Sequence, residues 1–158
     1  MKSQRLRLYL LPLFIGLSFN ATAKPKNFEI KSHILESNTL DLGSPGNSMG
    51  DLTVIDTVLM DAKSETAIGS AIFRKTILKI DPVSGATRSE SFVEYTLAGG
   101  SIFVYATTMD DPTIHLINRP VTRAIVGGNG IYRGARGNVM NMPIEGRPRH
   151  FINKFIFL

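Results

Sequence analysis

From Asn27 to Leu158 the chain is written as short runs rich in β-branched and aromatic residues, each closed by turn formers. No window carries a sustained 3.6-residue apolar period with caps, so helices are at most short. The runs are Asn27–Leu35, Leu52–Met60, Ala67–Ile80, Ser91–Leu97, Ile102–Thr108, Ile114–Ile117, Val121–Val126, Ile131–Met140 and Arg149–Leu158. Between them stand Ser44-Pro45-Gly46, Asp81-Pro82-Val83-Ser84-Gly85, Ala98-Gly99-Gly100, Asp110-Asp111-Pro112, Gly127-Gly128-Asn129-Gly130 and the stretch Pro143 to Pro148. Each break holds residues that supply positive φ or fix a turn. An all-β chain of successive hairpins follows.

Several runs carry large apolar residues on both faces. In the last one Phe151, Phe155 and Phe157 point one way and Ile152, Ile156 and Leu158 the other. A sheet with one solvated face would not do that. A closed antiparallel eight-stranded β-barrel would, since its inner face lines a cavity and its outer face packs on neighbours. A two-sheet sandwich is the alternative. The apolar outer face also predicts an oligomer, because patches of that kind are usually covered.

The first 23 residues read as an export signal: a basic MKSQRLR, an apolar run from Leu8 to Phe19, and Ala21-Thr22-Ala23 as the cleavage pattern. At twelve residues, broken by Pro12 and Gly16, the apolar run is too short to cross a bilayer of ~30 Å as a helix. Cleavage after Ala23 leaves one domain, residues 24–158, in a periplasmic or extracellular location. Three of the 18 basic residues lie in the leader, leaving 15 against 13 acids, so the basic pI does not point to nucleic acid. Nor do basic residues cluster with aromatics on one strand face.

Exclusions narrow the chemistry. With no cysteine there is no disulfide scaffold, thiolate metal site or thiol nucleophile. His33, His115 and His150 are widely spaced and predict no metal site. No Gly-x-Ser-x-Gly elbow is present. Gly127-Gly128-Asn129-Gly130 lacks the spacing, helix and lysine of a phosphate loop and reads as a turn.

Asp56 is the first candidate for chemistry. It shares a strand face with Leu52, Val54, Val58 and Met60, and a carboxylate on an apolar face is costly unless something meets it. It reads either as a general acid or base in an apolar pocket, or as half of a structural ion pair. Arg136, between Ala135 and Gly137, has space to fold across a cavity, or to lie on the surface beside a tight hairpin. Alternation groups it with Tyr132, Asn138 and Met140. Glu29 sits between Phe28 and Ile30, at one end of a barrel or facing solvent. Tyr95 and Tyr105, in adjacent runs, offer hydroxyls to a cavity or serve as core.

The segments Gly50-Asp51-Leu52 through Asp56 and Leu59, Ile68-Gly69, Gly99-Gly100-Ser101-Ile102 and Gly127 through Gly137 together resemble the dirigent proteins and the related allene oxide cyclases. The likeness runs from about residue 28 to 158, and its most specific part is the glycine-rich stretch ending in Ala135-Arg136-Gly137. It implies an eight-stranded antiparallel barrel that assembles as a homotrimer, needing no metal or organic cofactor. By position it implies catalytic roles for Asp56, Arg136 and Glu29. It also directs attention to Thr57, at the place of a strand asparagine of the cyclases, and with Tyr95, Tyr105 and Tyr132 this makes four ligand-binding candidates. Ile131 stands where dirigent proteins carry a second acid, and Lys31 where the cyclases carry another asparagine.

The expected function is a secreted barrel that binds an apolar lipid or phenolic and promotes its cyclisation or stereo-controlled coupling, with a separate oxidase supplying substrate in the dirigent case. The alternative is a non-catalytic carrier of such a ligand. Catalysis predicts Asp56 and Arg136 in one enclosed cavity; a carrier predicts an apolar lining with both at the rim or outside.

Overall fold

In the computed structural model, which describes residues 25–110 and 120–158, eight strands close into an antiparallel barrel in sequence order. They are β1 (Phe28–Leu40), β2 (Leu52–Asp61), β3 (Ala67–Ile80), β4 (Thr87–Leu97), β5 (Gly100–Asp110), β6 (Val121–Gly128), β7 (Gly137–Pro143) and β8 (His150–Phe157). β1 pairs with both β2 and β8, which closes the ring of strands. The sandwich alternative is excluded. The leader, His115 and the run Ile114–Ile117 lie outside the described residues.

Several expected strands differ in extent, β4 starting at Thr87 rather than Ser91 for one, and two of the differences bear on the interior. β1 continues to Leu40 by way of a register shift between Ile34 and Glu36. That bulge absorbs one residue and keeps Ser37 inside. The run Ile131–Met140 is broken: Gly130–Tyr132 forms one 3-10 turn, and β7 begins only at Gly137. Gly134 between them takes φ +76°, a conformation no strand uses. A side chain at Gly128 would come within 2.5 Å of the Tyr132 carbonyl oxygen, which is why the glycine-rich segment can fold flat against the barrel end.

The interior divides into two halves. The lower half lies toward the β2–β3 and β4–β5 turns and is packed with Leu59, Tyr95, Ile102, Val104, Ile125, Val139 and Phe155, with Tyr132 closing the end. Phe28 stacks on Phe155 at 4.6 Å, and Tyr95 meets the same ring edge-on at 5.0 Å. The upper half lies toward the 41–51, 81–86 and 144–149 loops, where the inner positions carry smaller residues such as Ser32, Thr57, Ala71 and Ser91. The first of these loops is tied by Asp51, whose carboxylate accepts the backbone N–H groups of Leu42 (3.0 Å) and Ser48 (2.7 Å).

Candidate functional site

Small inner residues leave a chamber of about 560 Å³ in the upper half. That is within the usual range of small-molecule sites, roughly 300–1,000 Å³. Its walls are apolar over Ile34, Ile55, Ala71, Phe73, Val93 and Phe151. Polar groups collect where the chamber meets the packed half. Arg123 donates to the Asn141 side-chain oxygen, and Asn141 donates in turn to the Tyr95 hydroxyl (3.0 Å) and to Asn153. Asn153 passes a hydrogen bond to the Ser32 hydroxyl at 2.8 Å.

Each of these side chains points inward because alternate residues of its strand do. Val121, Arg123 and Ile125 face in from β6; Asn141 follows Val139 on β7; Asn153 lies between Phe151 and Phe155 on β8. The guanidinium of Arg123 lies 5.3 Å from the Phe73 ring centre, held there by cation–π attraction. Burial works against its charge, while Tyr95 and Asp110 favour it. Burial also raises the Tyr95 hydroxyl above the ordinary phenol range, against the opposing pull of the Asn141 hydrogen bond. Nearer the upper loops, Asp110 pairs with Lys75, and Arg149 completes the charged part of the wall.

Of the residues singled out from sequence, Tyr95 and Thr57 line the chamber. The other five lie elsewhere. Asp56 is exposed on the outer face, opposite Glu36 and Ile72 in the neighbouring strands. Its apolar companions Val54, Val58 and Met60 are on that outer face too; alternation correctly grouped them but does not say which side is the interior. Arg136 is exposed at the lower end and donates to the Ala135 carbonyl at 2.8 Å. The grouping of Arg136 with Tyr132 assumed one continuous strand, and the 3-10 turn breaks it. The expected enclosed pair of Asp56 and Arg136 is therefore not formed.

Glu29 is exposed and pairs with Lys154 at 3.2 Å. Tyr105 is 38% exposed, and its hydroxyl donates to Glu90 at 3.2 Å on the outside. Tyr132 is buried, but in the packed lower end. An acid and guanidinium groups do face the chamber, but they are Asp110 and Arg123 with Arg149. Arg123 was visible as a charge on the apolar face Val121-x-Arg123-x-Ile125, and Asn153 as an amide between Phe151 and Phe155. Asp110 was hidden because it closes a strand and begins a turn motif. Among the described residues no group of three or more His, Asp or Glu side chains is placed to hold a metal ion.

The allene oxide cyclase barrel like domain family matches residues 31–158, and the chain belongs to it. Solved structures agree on the fold. A pyocyanin demethylase superposes with a TM-score of 0.65 at 18% identity, over 84% of this chain and 100% of that one. AbnU, an exo-specific intermolecular Diels-Alderase, gives 0.60 at 18% identity over 82% and 96%. A pterocarpan synthase dirigent protein gives 0.55 at 15% over 82% and 85%. No curated protein matches the sequence.

Proposed function

We propose that the protein binds one apolar small molecule, a lipid or a phenolic, in the upper chamber and promotes its ring closure or stereo-controlled coupling. The observation that carries this reading is a chamber with apolar walls and hydrogen-bond donors gathered on one side, at Arg123, Asn141 and Tyr95. Apolar walls hold a flexible ligand in a folded, near-attack shape, an effect worth ~7–11 kcal/mol in favourable cases. Negative charge that develops on a ligand oxygen is met by the Arg123 guanidinium, and one such donor typically contributes about 3–4 kcal/mol. Asp110, the one carboxylate among the described wall residues, is the candidate for proton transfer. The names of similar structures, two of them a Diels-Alderase and a pterocarpan synthase, agree with ring-forming chemistry.

The export-signal pattern of residues 1–23 supports, within the same reading, an activity outside the cytoplasm, and a homotrimer belongs to that reading too. Support for assembly is the outer strip of Val54, Val58 and Met60 beside exposed Ile68 and Ile72. A second reading, the non-catalytic carrier, is favoured by the outer positions of Asp56 and Arg136.

Native mass spectrometry of protein purified without denaturant identifies the ligand that travels with it. Incubating that ligand, or its open-chain precursor, with the parent and with Arg123→Gln then separates the readings. A cyclase produces a new isomer by chromatography, at least ~100-fold more slowly in the variant. A carrier returns the ligand unaltered from both. Failure of the native protein to take up any apolar compound overturns both readings.

A further inference from the structure

We propose, resting on the ligand-chamber reading above, that the ligand is an anion: an apolar body bearing one carboxylate, enolate or phenolate-type charge that seats at Arg123. Among the described residues the charge on the wall is unbalanced: Lys75, Arg123 and Arg149 face it against one acid, Asp110. Asp110 is already engaged by Lys75, and no carboxylate of the described residues lies within ion-pair distance of Arg123.

The neighbours of Arg123 do not neutralise it either. A guanidinium has five N–H donors. In the protein one nitrogen is bonded to the Asn141 oxygen, while the buried Nε has no hydrogen-bond partner. Asn141 spends its amide on Tyr95 and Asn153, and Asn153 spends its own on Ser32, so the network supplies Arg123 with a neutral acceptor and no negative charge. Asp110, paired with Lys75 and outside ion-pair distance of Arg123, favours that charge only from afar. A cation withdrawn from water without a close counter-ion is costly until something charged meets it. Phe73, the ring beneath the guanidinium, offsets only part of that cost.

The surroundings set the rest of the ligand. Ile34, Ile55, Phe73, Val93 and Phe151 give an inorganic ion nothing to bond, whereas an apolar skeleton covers them and directs its charged end toward Arg123. Negative charge then sits where a ring-forming substrate would develop it, which links recognition to the chemistry proposed above.

The test uses two dyes sharing one skeleton: 1-anilinonaphthalene-8-sulfonate, an anion, and N-phenyl-1-naphthylamine, its neutral counterpart. Fluorescence titration of the mature chain is expected to show the anion bound about tenfold or more tightly. Arg123→Met, which keeps an apolar stem, removes that preference and leaves the neutral dye within roughly threefold of its parent value. Arg123→Lys, which keeps the charge, retains part of the preference, and circular dichroism confirms that both variants fold. Equal affinities in the parent, or an anion preference that survives in Arg123→Met, overturn the proposal while leaving the chamber reading intact. If neither dye binds, the chamber reading itself falls.

Discussion

Three of the strands that pass through both halves of the barrel show what separates them. On β2 the inner position changes from Leu59 to Thr57, on β4 from Tyr95 to Ser91, and on β8 from Phe155 to Asn153. The backbone pairing is continuous across the change. The lower half is thus a core because its side chains are large enough to meet across the barrel. The upper half is a chamber because its side chains are not. Stability and binding are allotted to different levels of one closed sheet.

The largest effect expected from this division is at Phe155, which is fully buried between Phe28 and Tyr95. Phe155→Ala is expected to destabilise by ~3–5 kcal/mol in urea melts. Phe151→Ala, four residues away on the same face but against open space, is expected to lose only ~1 kcal/mol. Similar losses at the two sites would break the comparison. Asn153 lies at the boundary, and Asn153→Ala strands partners in the Tyr95–Asn141–Ser32 network. About 1–3 kcal/mol should go, with weaker uptake of apolar probes as well.

Smaller effects sharpen the division between inside and outside. Asp56→Asn and Arg136→Gln should alter stability by no more than about 0.5 kcal/mol and leave probe affinity unchanged. A large loss of turnover in either would return those residues to the mechanism. The smallest effect concerns the β1–β8 seam, where the His33 and His150 rings stack at 4.1 Å. Partial burial, then His150 and Arg149, lower the proton affinity of His33 below its ordinary value. The unfolded chain therefore takes up that proton more readily. The contribution is present above the ordinary histidine value, near pH 6.5, and is lost as pH falls below it. Melting midpoints taken from pH 7 to about pH 5 should decline more gently in His33→Gln than in the parent.

The strands, their turns and barrel closure were legible because turn formers punctuate the chain and both faces of β8 are apolar. The site was only half legible, for a related reason. When both faces of a strand are apolar, a period of two shows which residues travel together but leaves open which set faces in. Asp56 went astray that way. Arg136 did so because a 3-10 turn interrupts what alternation took for a strand. Arg123 and Asn153 carried a different signal, a polar residue between apolar neighbours on one face, which on β6 stands against the less apolar Thr122 and Ala124.

The account rests on the upper half being a ligand chamber. Thr57→Trp places a large ring into that space from a half-buried wall position without touching the packed core. The most direct measurement is titration of N-phenyl-1-naphthylamine against the parent and this variant, with the melting midpoint followed in both. One dye per chain bound by the parent and none by the folded variant is the predicted result. Undiminished binding by Thr57→Trp would place the dye on the outer surface and contradict the claim.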